Sequence, residues 1–348
     1  MAVSSEPKRN VNHIGLTKAD YAGGPSTLCN GCGHDSITSR IIEAYYKMGV
    51  PPHMVAKLSG IGCSSKTPAY FLNRAHGFNG VHGRMPAIAT GAMVANRQLK
   101  AIGVSGDGDT ASIGLGQFCH MVRRNVPMVY IIENNGVYGL TKGQFSATAD
   151  MGSASKGGAH NEMPPIDMCM LALQLGCSYV ARGFSGDPRQ LSTLLQGAIA
   201  HEGCAILDVI SPCVTFNNHE GSTKSYKYAK DHEIPLHELD FIPSFEPIEL
   251  VGDFDPGAIR DVKLHDGSVI RLRKTDRDYD PGSKSQAMLT LLQAEENQEF
   301  LTGLIFHDQT RRNLIEQLDM VDDPLATLPL GRTRPPREAF EQVMHALM

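Results

Sequence analysis

A pair of polar motifs, each placed directly after an apolar run, constrains the fold of this 348-residue chain more than any other feature. Residues 101–105 and 126–132 are short apolar runs typical of buried strands, and residues 110–124 between them carry an apolar stripe at helical spacing. Strand, helix and strand within about 30 residues form one βαβ unit, whose two strands run parallel. Asp107 and Asn135 therefore follow the same ends of neighbouring strands, at the edge where open α/β sheets bind ligands.

The residue types in these motifs suit a metal ion and a diphosphate group. Mg²⁺ prefers an octahedron of oxygen ligands and commonly takes only one or two carboxylates. Asp107 offers a carboxylate oxygen, Asn135 an amide oxygen and Val137 a backbone carbonyl. Gly106 and Gly108 let the backbone approach a diphosphate closely, and the first N–H groups of the following helix point towards it. A plain turn in which an aspartate caps the helix is the alternative. The two-part spacing favours the ligand site and is typical of enzymes that bind thiamine diphosphate through Mg²⁺.

The chain has eight cysteines, at positions 29, 32, 63, 119, 169, 177, 204 and 213. Its first ten residues are polar and charged, so we expect no secretory signal, a reducing compartment and no disulfide framework. Cys29 and Cys32 form a C-x-x-C motif, which alone fits zinc, a redox dithiol or an iron–sulfur cluster. Cys63 lies in a second glycine-rich loop and Cys213 follows a predicted strand at 205–210. Such a set suits a cubane cluster held by four thiolates, and we interpret the other four cysteines as small buried hydrophobes.

Six segments, taken in order, resemble the beta subunit of the 2-oxoacid:ferredoxin oxidoreductases. They are Cys-Asn-Gly-Cys-Gly-His at 29–34, Gly-Ile-Gly-Cys-Ser-Ser-Lys at 60–66, Val-His-Gly-Arg at 81–84, Gly-Asp-Gly-Asp at 106–109, Tyr-Gly-Leu-Thr-Lys-Gly-Gln at 138–144 and Ser-Pro-Cys-Val-Thr-Phe-Asn at 211–217. The resemblance spans roughly residues 25–305. It implies a 4Fe–4S cluster and a magnesium site, with the cluster on Cys29, Cys32, Cys63 and Cys213 and the Mg²⁺ on Asp107, Asn135 and Val137.

The same resemblance implies the contacts to thiamine diphosphate. These are Ile61, Gly62, Cys63, Ser64, Gly80, Val81, His82, Gly83, Gly108, Asp109, Gly139 and Leu140. Lys66 matches a position that contacts the substrate carboxylate in that family, and His82 is a second candidate catalytic residue, although a His-Gly-Arg triplet alone is more often a solvated loop. In that family the glutamate that activates the thiamine lies on the alpha subunit.

The implied activity is the reversible, coenzyme A-dependent oxidative decarboxylation of a 2-oxo acid, with electrons passing through the cluster to ferredoxin. The best match is 2-oxoglutarate converted to succinyl-CoA and CO₂, and the nearest alternative is a pyruvate or broad 2-oxoacid enzyme. The expected partners are an alpha subunit, in an αβ pair or a doubled αβ pair, together with ferredoxin. Two other hypotheses stay open: a non-redox thiamine enzyme, and a zinc- or cluster-bearing electron-transfer or structural subunit without its own active site.

The fold class predicted is α/β, with a doubly wound, mostly parallel sheet of the thiamine-diphosphate-binding type and a C-terminal extension containing a β-hairpin and helices. We expect a polar N-terminal arm at 1–24, a cofactor-binding domain with the cluster loops at 25–235 and the extension at 236–348. The formal net charge of −5 and the scattered Lys and Arg residues indicate no nucleic-acid partner. No window approaches 18 apolar residues, so we expect no membrane span and a cytoplasmic location.

Several further elements follow from local patterns. Helices are predicted at 36–48, 87–95, 166–175 and 187–201, and a long aperiodic loop at 139–165 is expected to close over the cofactor. Residues 262–272 predict a hairpin across Asp266-Gly267, and residues 284–300 predict a helix. A single short helix is expected in the proline-containing tail at 322–348.

Overall fold

The computed structural model describes residues 10–155, 157–245, 259–273 and 279–348. Its strands are β1 (Val55–Ser59), β2 (His76–Asn79), β3 (Lys100–Gly106), β4 (Met128–Asn134), β5 (Val137–Tyr138), β6 (Gln144–Phe145), β7 (Tyr179–Phe184), β8 (Cys204–Ile210), β9 (Glu233–Pro235), β10 (Glu238–Ile242), β11 (Ile259–Lys263), β12 (Val269–Arg273) and β13 (Phe300–His307). Its helices are α1 (Gly33–Met48), α2 (Met85–Ala95), α3 (Leu115–Arg124), α4 (Met168–Gln174), α5 (Pro188–Ala200), α6 (Tyr226–His232), α7 (Lys284–Glu296), α8 (Leu314–Gln317), α9 (Leu330–Thr333) and α10 (Arg337–Leu347).

Eight strands form one mixed sheet in the order β2-β1-β3-β4-β8-β7-β13-β9. The first six run parallel to one another, and β13 joins them antiparallel to β7. Gly106 pairs with Glu133 and Asn134 pairs with Ile210, so β3, β4 and β8 end at the same edge. The predicted doubly wound, mostly parallel sheet is confirmed, and this edge carries the loops with the polar motifs.

The central strands β4 and β8 are buried along their whole length, which explains their continuous apolar sequences. One face of the sheet packs Ile131 and Leu207 against α1 and α5 through Ile41 and Leu194. The other face packs Tyr130 against Phe118 of α3. Covering both faces with helices leaves ligand access only at the strand ends and the loops.

Most predicted helices occur within a few residues of their expected bounds, and those at 110–124 and 284–300 differ in informative ways. Residues 110–124 were expected to form one helix, but Asp109–Ile113 is a π-helical turn and α3 begins only after Gly114. The N–H of Gly114 donates to the carbonyl of Asp109 at 2.7 Å, which is the wider turn of a π-helix. A Cβ on Gly114 would lie 2.9 Å from the Cα of Gly83, so the close approach of the loop at 80–84 sets the break.

The C-terminal part adds a second sheet, in the order β10-β12-β11. The predicted hairpin is confirmed: Val262 pairs with Ile270 across a turn in which Gly267 has a φ of 84°. The helix predicted at 284–300 ends at Glu296, because Gln298 takes a φ of 58° and Phe300 already belongs to β13. The tail holds more than one helical segment, since a 3₁₀ turn and α9 precede α10.

The division at residues 24 and 235 stays a prediction, and the first nine residues of the expected arm lie outside the described part. In the described ranges, none of the helices combines the length and the apolar character needed to cross a lipid bilayer.

A cluster of three histidines joins the C-terminal hairpin to the core. The ring of His201, after α5, lies 4.9 Å from that of His265 and 5.2 Å from that of His307, measured between centroids. His307 is only 8 % exposed. Burial, and then the proximity of His265, lowers the pKa of His307 from 6.5 to about 4. The folded protein therefore holds His307 neutral where the unfolded chain would bind a proton.

Acid should weaken the fold through His307, because a lowered folded-state pKa contributes stability that is lost as the pH falls from 6.5 through about 4. Between pH 7 and pH 4 the free energy of unfolding should decrease by on the order of 2 kcal/mol less in His307→Gln than in the wild-type protein. Denaturant unfolding at a series of pH values measures this difference. The exposed His120 provides the control variant, His120→Gln, and equal pH slopes in both variants would contradict the expectation.

Candidate active site

The carboxylate of Asp107 lies buried at the carboxyl end of β3, with 1 % of the residue exposed. Its Oδ2 atom accepts hydrogen bonds from the hydroxyl of Ser146, from the hydroxyl of Thr148 at 2.5 Å and from the N–H of Gly136 at 3.0 Å. Burial raises the pKa of Asp107, and the two hydroxyls partly oppose that rise. Within the described ranges Asp107 takes part in no ion pair. Because a buried negative charge without a cation is costly, the site suits a bound metal ion.

Asn135 follows β4 and lies beside Asp107. Its backbone N–H lies 3.5 Å from Oδ1 of Asp107. The side-chain oxygen of Asn135 accepts from the N–H of Val137 at 3.0 Å, and its backbone carbonyl accepts from Asn217 at 2.8 Å. The structure thus brings the three predicted magnesium ligands together at one edge of the sheet, with Val137 in the short strand β5.

The carboxylate of Asp109, which is 2 % exposed, joins three segments at this edge. Its Oδ1 accepts from the N–H of Gly83 at 2.7 Å, and its Oδ2 accepts from the N–H of Ile61 at 3.2 Å and from the hydroxyl of Ser105 at 2.9 Å. These bonds hold the loops at 60–66 and 80–84 against β3. The side chain of Asp109 therefore positions two other predicted cofactor contacts, Ile61 and Gly83.

Two of the predicted glycines allow backbone segments to approach closely. Gly83 has a φ of +70°, and a Cβ there would lie 2.8 Å from the Cα of Gly114. A Cβ on Gly108 would lie 2.5 Å from the ring of Tyr138, whose hydroxyl donates to the carbonyl of Gly108 at 2.9 Å. A larger residue at either position would separate the loops that form the predicted diphosphate site.

The remaining predicted contacts follow the carboxyl ends of neighbouring strands. Val81 and Leu140 are exposed on the rim, with 72 % and 51 % of their surface accessible, and His82 is exposed beside them. Ser64 is buried and donates to the carbonyl of Ile61 at 3.0 Å. Gly62, Gly80 and Gly139 are partly exposed along the same edge.

The four cysteines predicted to hold a cluster come from three loops. Cys29 and Cys32 precede α1, Cys63 follows β1 and Cys213 follows β8. The hydroxyl of Thr215 lies 3.6 Å from the sulfur of Cys29, which ties the Cys213 segment to the first loop. A Cβ placed on Gly139 would lie 3.5 Å from the sulfurs of both Cys63 and Cys213. The loop that carries the predicted cofactor contacts Gly139 and Leu140 therefore also borders the cysteines.

The pKa values of Cys32 and Cys63 depend on the neighbouring cysteines. Burial, and then the neighbouring Glu133, Cys213 and Cys63, raises the pKa of Cys32 to about 12. Burial and Cys213 raise the pKa of Cys63, whereas the half-buried Lys66 lowers it. Thiolates placed together here repel one another, and bound metal would relieve that repulsion.

In the described chain, no three His, Cys, Asp or Glu side chains are close enough together to hold a single metal ion. Each thiolate of a cubane binds a different iron, so a cubane does not require three such ligands around one ion. The other cysteines fit their interpretation as apolar residues: Cys169, Cys177 and Cys204 are fully buried, and Cys119 is half-buried on α3.

A buried polar pair beside the cysteines was not predicted from the sequence. His34 lies 3.6 Å from Glu133, and its Nδ1 atom lies 2.6 Å from the hydroxyl of Ser211. Burial lowers the pKa of His34 to about 4 and raises that of Glu133 well above its ordinary value, so burial opposes a charge on both side chains. The polar segment Cys-Gly-His was the one sequence signal for His34, and Glu133 was hidden in an apolar strand.

Comparison with known proteins gives consistent matches to one family. Residues 60–209 match the family described as thiamine pyrophosphate enzyme, C-terminal TPP binding domain. The 2-oxoacid:ferredoxin oxidoreductase subunit beta of Saccharolobus solfataricus is 40 % identical over 224 residues, which cover 63 % of this chain and 70 % of that protein. The 2-oxoglutarate synthase subunit KorB of Methanocaldococcus jannaschii is 34 % identical over 62 % of this chain and 80 % of its own length.

A solved structure shows the same similarity in three dimensions. It is the 2-oxoglutarate:ferredoxin oxidoreductase from Magnetococcus marinus with 2-oxoglutarate, coenzyme A and succinyl-CoA bound. The TM-score is 0.70 at 29 % identity, and the alignment covers 91 % of this chain and 92 % of that one. The structural similarity therefore extends beyond residues 60–209 into the C-terminal part.

Replacing Asp109 by asparagine should loosen both loops that its carboxylate holds. Asparagine has one acceptor oxygen, so its NH₂ group would face a donor N–H or hydroxyl and leave it unpaired. We expect Asp109→Asn to lower the free energy of unfolding by about 1–3 kcal/mol and to weaken retention of thiamine diphosphate. Thermal unfolding and cofactor content of the purified protein measure both effects. Asp322→Asn, at a side chain 88 % exposed, is the control, and indistinguishable variants would refute this role.

Proposed function

This chain belongs to the family of the beta subunits of 2-oxoacid:ferredoxin oxidoreductases, and we propose that it carries both the thiamine diphosphate site and a 4Fe–4S cluster of such an enzyme. The observation that supports this most is the shared border of the two sites. The loop at 60–66 supplies Cys63 to the cysteine set, and its Ile61 is bonded to Asp109 beside Asp107. A cofactor at Asp107 and a cluster at the cysteines would therefore be neighbours, as transfer of single electrons between them requires.

The cation would be held by Asp107, Asn135 and the carbonyl of Val137. The buried carboxylate of Asp107, which has no ion-pair partner in the described ranges, and the amide oxygen of Asn135 are the hard oxygen ligands that Mg²⁺ takes. The diphosphate would then lie against the backbone at Gly108 and the π-helical turn that starts at Asp109. When bound, thiamine diphosphate supplies the electron sink that stabilises the carbanion left after loss of CO₂.

The cluster would be held by Cys29, Cys32, Cys63 and Cys213. All four are free thiols in loops, and their mutual repulsion is the electrostatic feature that bound iron would relieve. The rival non-redox thiamine enzyme gives these four cysteines no role. The rival zinc or structural subunit gives no role to the buried carboxylate of Asp107. The oxidoreductase hypothesis gives a role both to the four cysteines and to the carboxylate of Asp107.

The substrate proposed is 2-oxoglutarate, which would be converted with coenzyme A to succinyl-CoA and CO₂. Three similar proteins support it, because the Magnetococcus marinus structure and the relatives from Methanocaldococcus jannaschii and Mycobacterium tuberculosis carry 2-oxoglutarate in their names. The name of the Saccharolobus solfataricus relative, at 40 % identity, specifies only a 2-oxoacid, so a pyruvate or broad specificity is the second candidate. Half-buried Lys66 would contact the substrate carboxylate, and exposed His82 would face the substrate from the rim.

The relatives are beta subunits, so an alpha subunit is the expected partner. The residue that activates the thiamine would come from that subunit. Exposed Val81 and Leu140 lie on the rim where the partner would cover the cofactor. Ferredoxin would accept the electrons, and reduced ferredoxin would drive the same steps in the direction of CO₂ fixation.

Metal analysis separates the proposal from its rivals. Anaerobically purified protein should contain about four iron and four acid-labile sulfide per chain. Cys213→Ser should lower the iron content and leave a damaged cluster, because one of its four thiolates is lost. Cys119→Ser, on the half-buried face of α3, should retain full iron. One zinc without sulfide would favour the non-redox or structural alternative, and full iron with wild-type turnover in Cys213→Ser would remove Cys213 from the ligand set.

The two sites should be separable by mutation. Asp107→Ala removes the only carboxylate among the proposed cation ligands, so we expect loss of bound thiamine diphosphate and Mg²⁺ while iron and sulfide stay in place. Cofactor and metal contents of one preparation, compared with the wild-type protein, measure this directly. Loss of iron in proportion to thiamine diphosphate would contradict the assignment of two separate sites.

A further inference from the structure

The two oxygens of the Asp107 carboxylate have different surroundings. Oδ2 accepts from the hydroxyls of Ser146 and Thr148 and from the N–H of Gly136. Among the residues that the structure describes, Oδ1 has one hydrogen-bonding contact, the N–H of Asn135 at the long distance of 3.5 Å. The carboxylate is therefore held by one oxygen, and the other oxygen is left for a further interaction.

We infer that Ser146 and Thr148 are positioning residues that hold Asp107 as a monodentate cation ligand through Oδ1, and that this makes the site selective for Mg²⁺ over Ca²⁺. The inference rests on the proposed function only in placing a cation at Asp107. It assigns a role to two residues of the long loop at 139–165, neither of which is a proposed ligand.

The selectivity follows from how the two cations bind carboxylates. Mg²⁺ is small and demands a near-ideal octahedron, in which a carboxylate gives one oxygen. Ca²⁺ accepts six to eight oxygens and commonly takes a carboxylate in bidentate fashion. Bidentate binding by Asp107 would require Oδ2 to turn towards the cation and give up three hydrogen bonds. We call the hydrogen bonds from Ser146 and Thr148 to Oδ2 of Asp107 the clamp. The clamp therefore disfavours bidentate binding of the larger ion and leaves monodentate binding undisturbed.

The hydroxyl of Thr148 also contacts a buried polar chain that offers it a second acceptor. It lies 2.9 Å from the side-chain oxygen of Asn134, whose NH₂ group donates to Asp208 at 2.9 Å. Asp208 accepts from Arg182 at 3.3 Å, and Arg182 is also bonded to Asp167 at 2.7 Å. Because a carboxylate only accepts, Asp208 fixes the orientation of the Asn134 amide, and the amide oxygen in turn faces Thr148. A threonine hydroxyl has one proton, so Thr148 donates either to Asn134 or to Asp107, and its contact to Asp107 is the shorter of the two. The chain fixes the position of the Asn134 oxygen, so the Thr148 hydroxyl lies between two acceptors beside Asp107.

The clamp also belongs to a locally ordered part of the loop. The N–H of Ser146 donates to the carbonyl of Gly136 at 3.2 Å, and the N–H of Ala149 donates to the carbonyl of Ser146 at 3.1 Å. Asn161 donates to the carbonyl of Ala149 at 3.0 Å, and Ser146 and Thr148 are 6 % and 1 % exposed. Both hydroxyls are therefore presented from a folded segment that packs on Asp107.

The test compares Thr148→Val, which keeps the shape and removes the hydroxyl, with Thr148→Ser, which keeps the hydroxyl. Ser146→Ala and the Ser146→Ala/Thr148→Val double variant complete the set. The enzyme assembled with its partner subunit is stripped of metal and saturated with thiamine diphosphate. Mn²⁺ binding is followed by electron paramagnetic resonance, and Mg²⁺ and Ca²⁺ are titrated as competitors. Iron content and thermal unfolding report whether each variant is folded.

We expect the double variant to bind Mg²⁺ about 10- to 100-fold more weakly, as is usual when partners of a metal ligand are removed. Ca²⁺ affinity should fall less or rise, so that the preference for Mg²⁺ narrows by about 10-fold or more. Thr148→Ser should behave like the wild-type protein, since the donor is restored. A general loss of structure would weaken the binding of Mg²⁺ and of Ca²⁺ equally, and Thr148→Ser would not restore it.

The possible failures are distinguishable. If the wild-type enzyme shows no Mn²⁺ site that Asp107→Ala abolishes, the proposed cation site fails and the clamp fails with it. If that site exists but the folded variants keep the wild-type ratio of Mg²⁺ to Ca²⁺ affinity, the clamp alone is refuted. If the double variant does not fold, the ratio of Mg²⁺ to Ca²⁺ affinity is measured in the single variants Ser146→Ala and Thr148→Val instead, and an unchanged ratio in both refutes the clamp.

Discussion

The negative charge of Asp107, buried at the end of β3 and unpaired among the described residues, is the constraint on which the active edge depends. Burying a charge is tolerable only when donors surround it. The donors come from the turn after β4 and from the loop at 139–165, so satisfying one carboxylate pins both segments against the sheet. Three neutral donors reduce the cost of the charge without cancelling it. The remaining field at Oδ1 is the physical basis for the cation that we propose there.

Asp109, two residues further along, extends the same principle to the other side of the edge. It gathers the loops after β1 and β2, and the first of these carries Cys63. The geometry therefore links the region for the diphosphate to the region of the four thiols through one short loop. In an enzyme that must pass single electrons from an organic cofactor to an inorganic one, a shared loop keeps the two centres adjacent without a dedicated domain interface.

Much of the fold was predictable because its signals are local. The βαβ unit around Asp107, the hairpin across Asp266-Gly267 and most helix positions follow from periodicity and turn chemistry. The predictions that failed depend on distant contacts. The π-helical turn before α3 exists because Gly83 packs on Gly114, and the helix predicted to reach residue 300 stops because β13 is drawn into the main sheet beside β7. Neither contact leaves a trace in the local sequence.

The sequence by itself determined the chemical types at the site and the strand ends that bring them together: an aspartate and an asparagine after neighbouring parallel strands, and four cysteines in loops. Those follow from spacing, since parallel strands end at a common edge. Only the tertiary structure decided which oxygen of Asp107 is engaged and which is free. Its partners Ser146 and Thr148 lie 39 and 41 residues away in an aperiodic loop. The direction of a buried side chain is set by the packed atoms around it, which no spacing along the chain encodes.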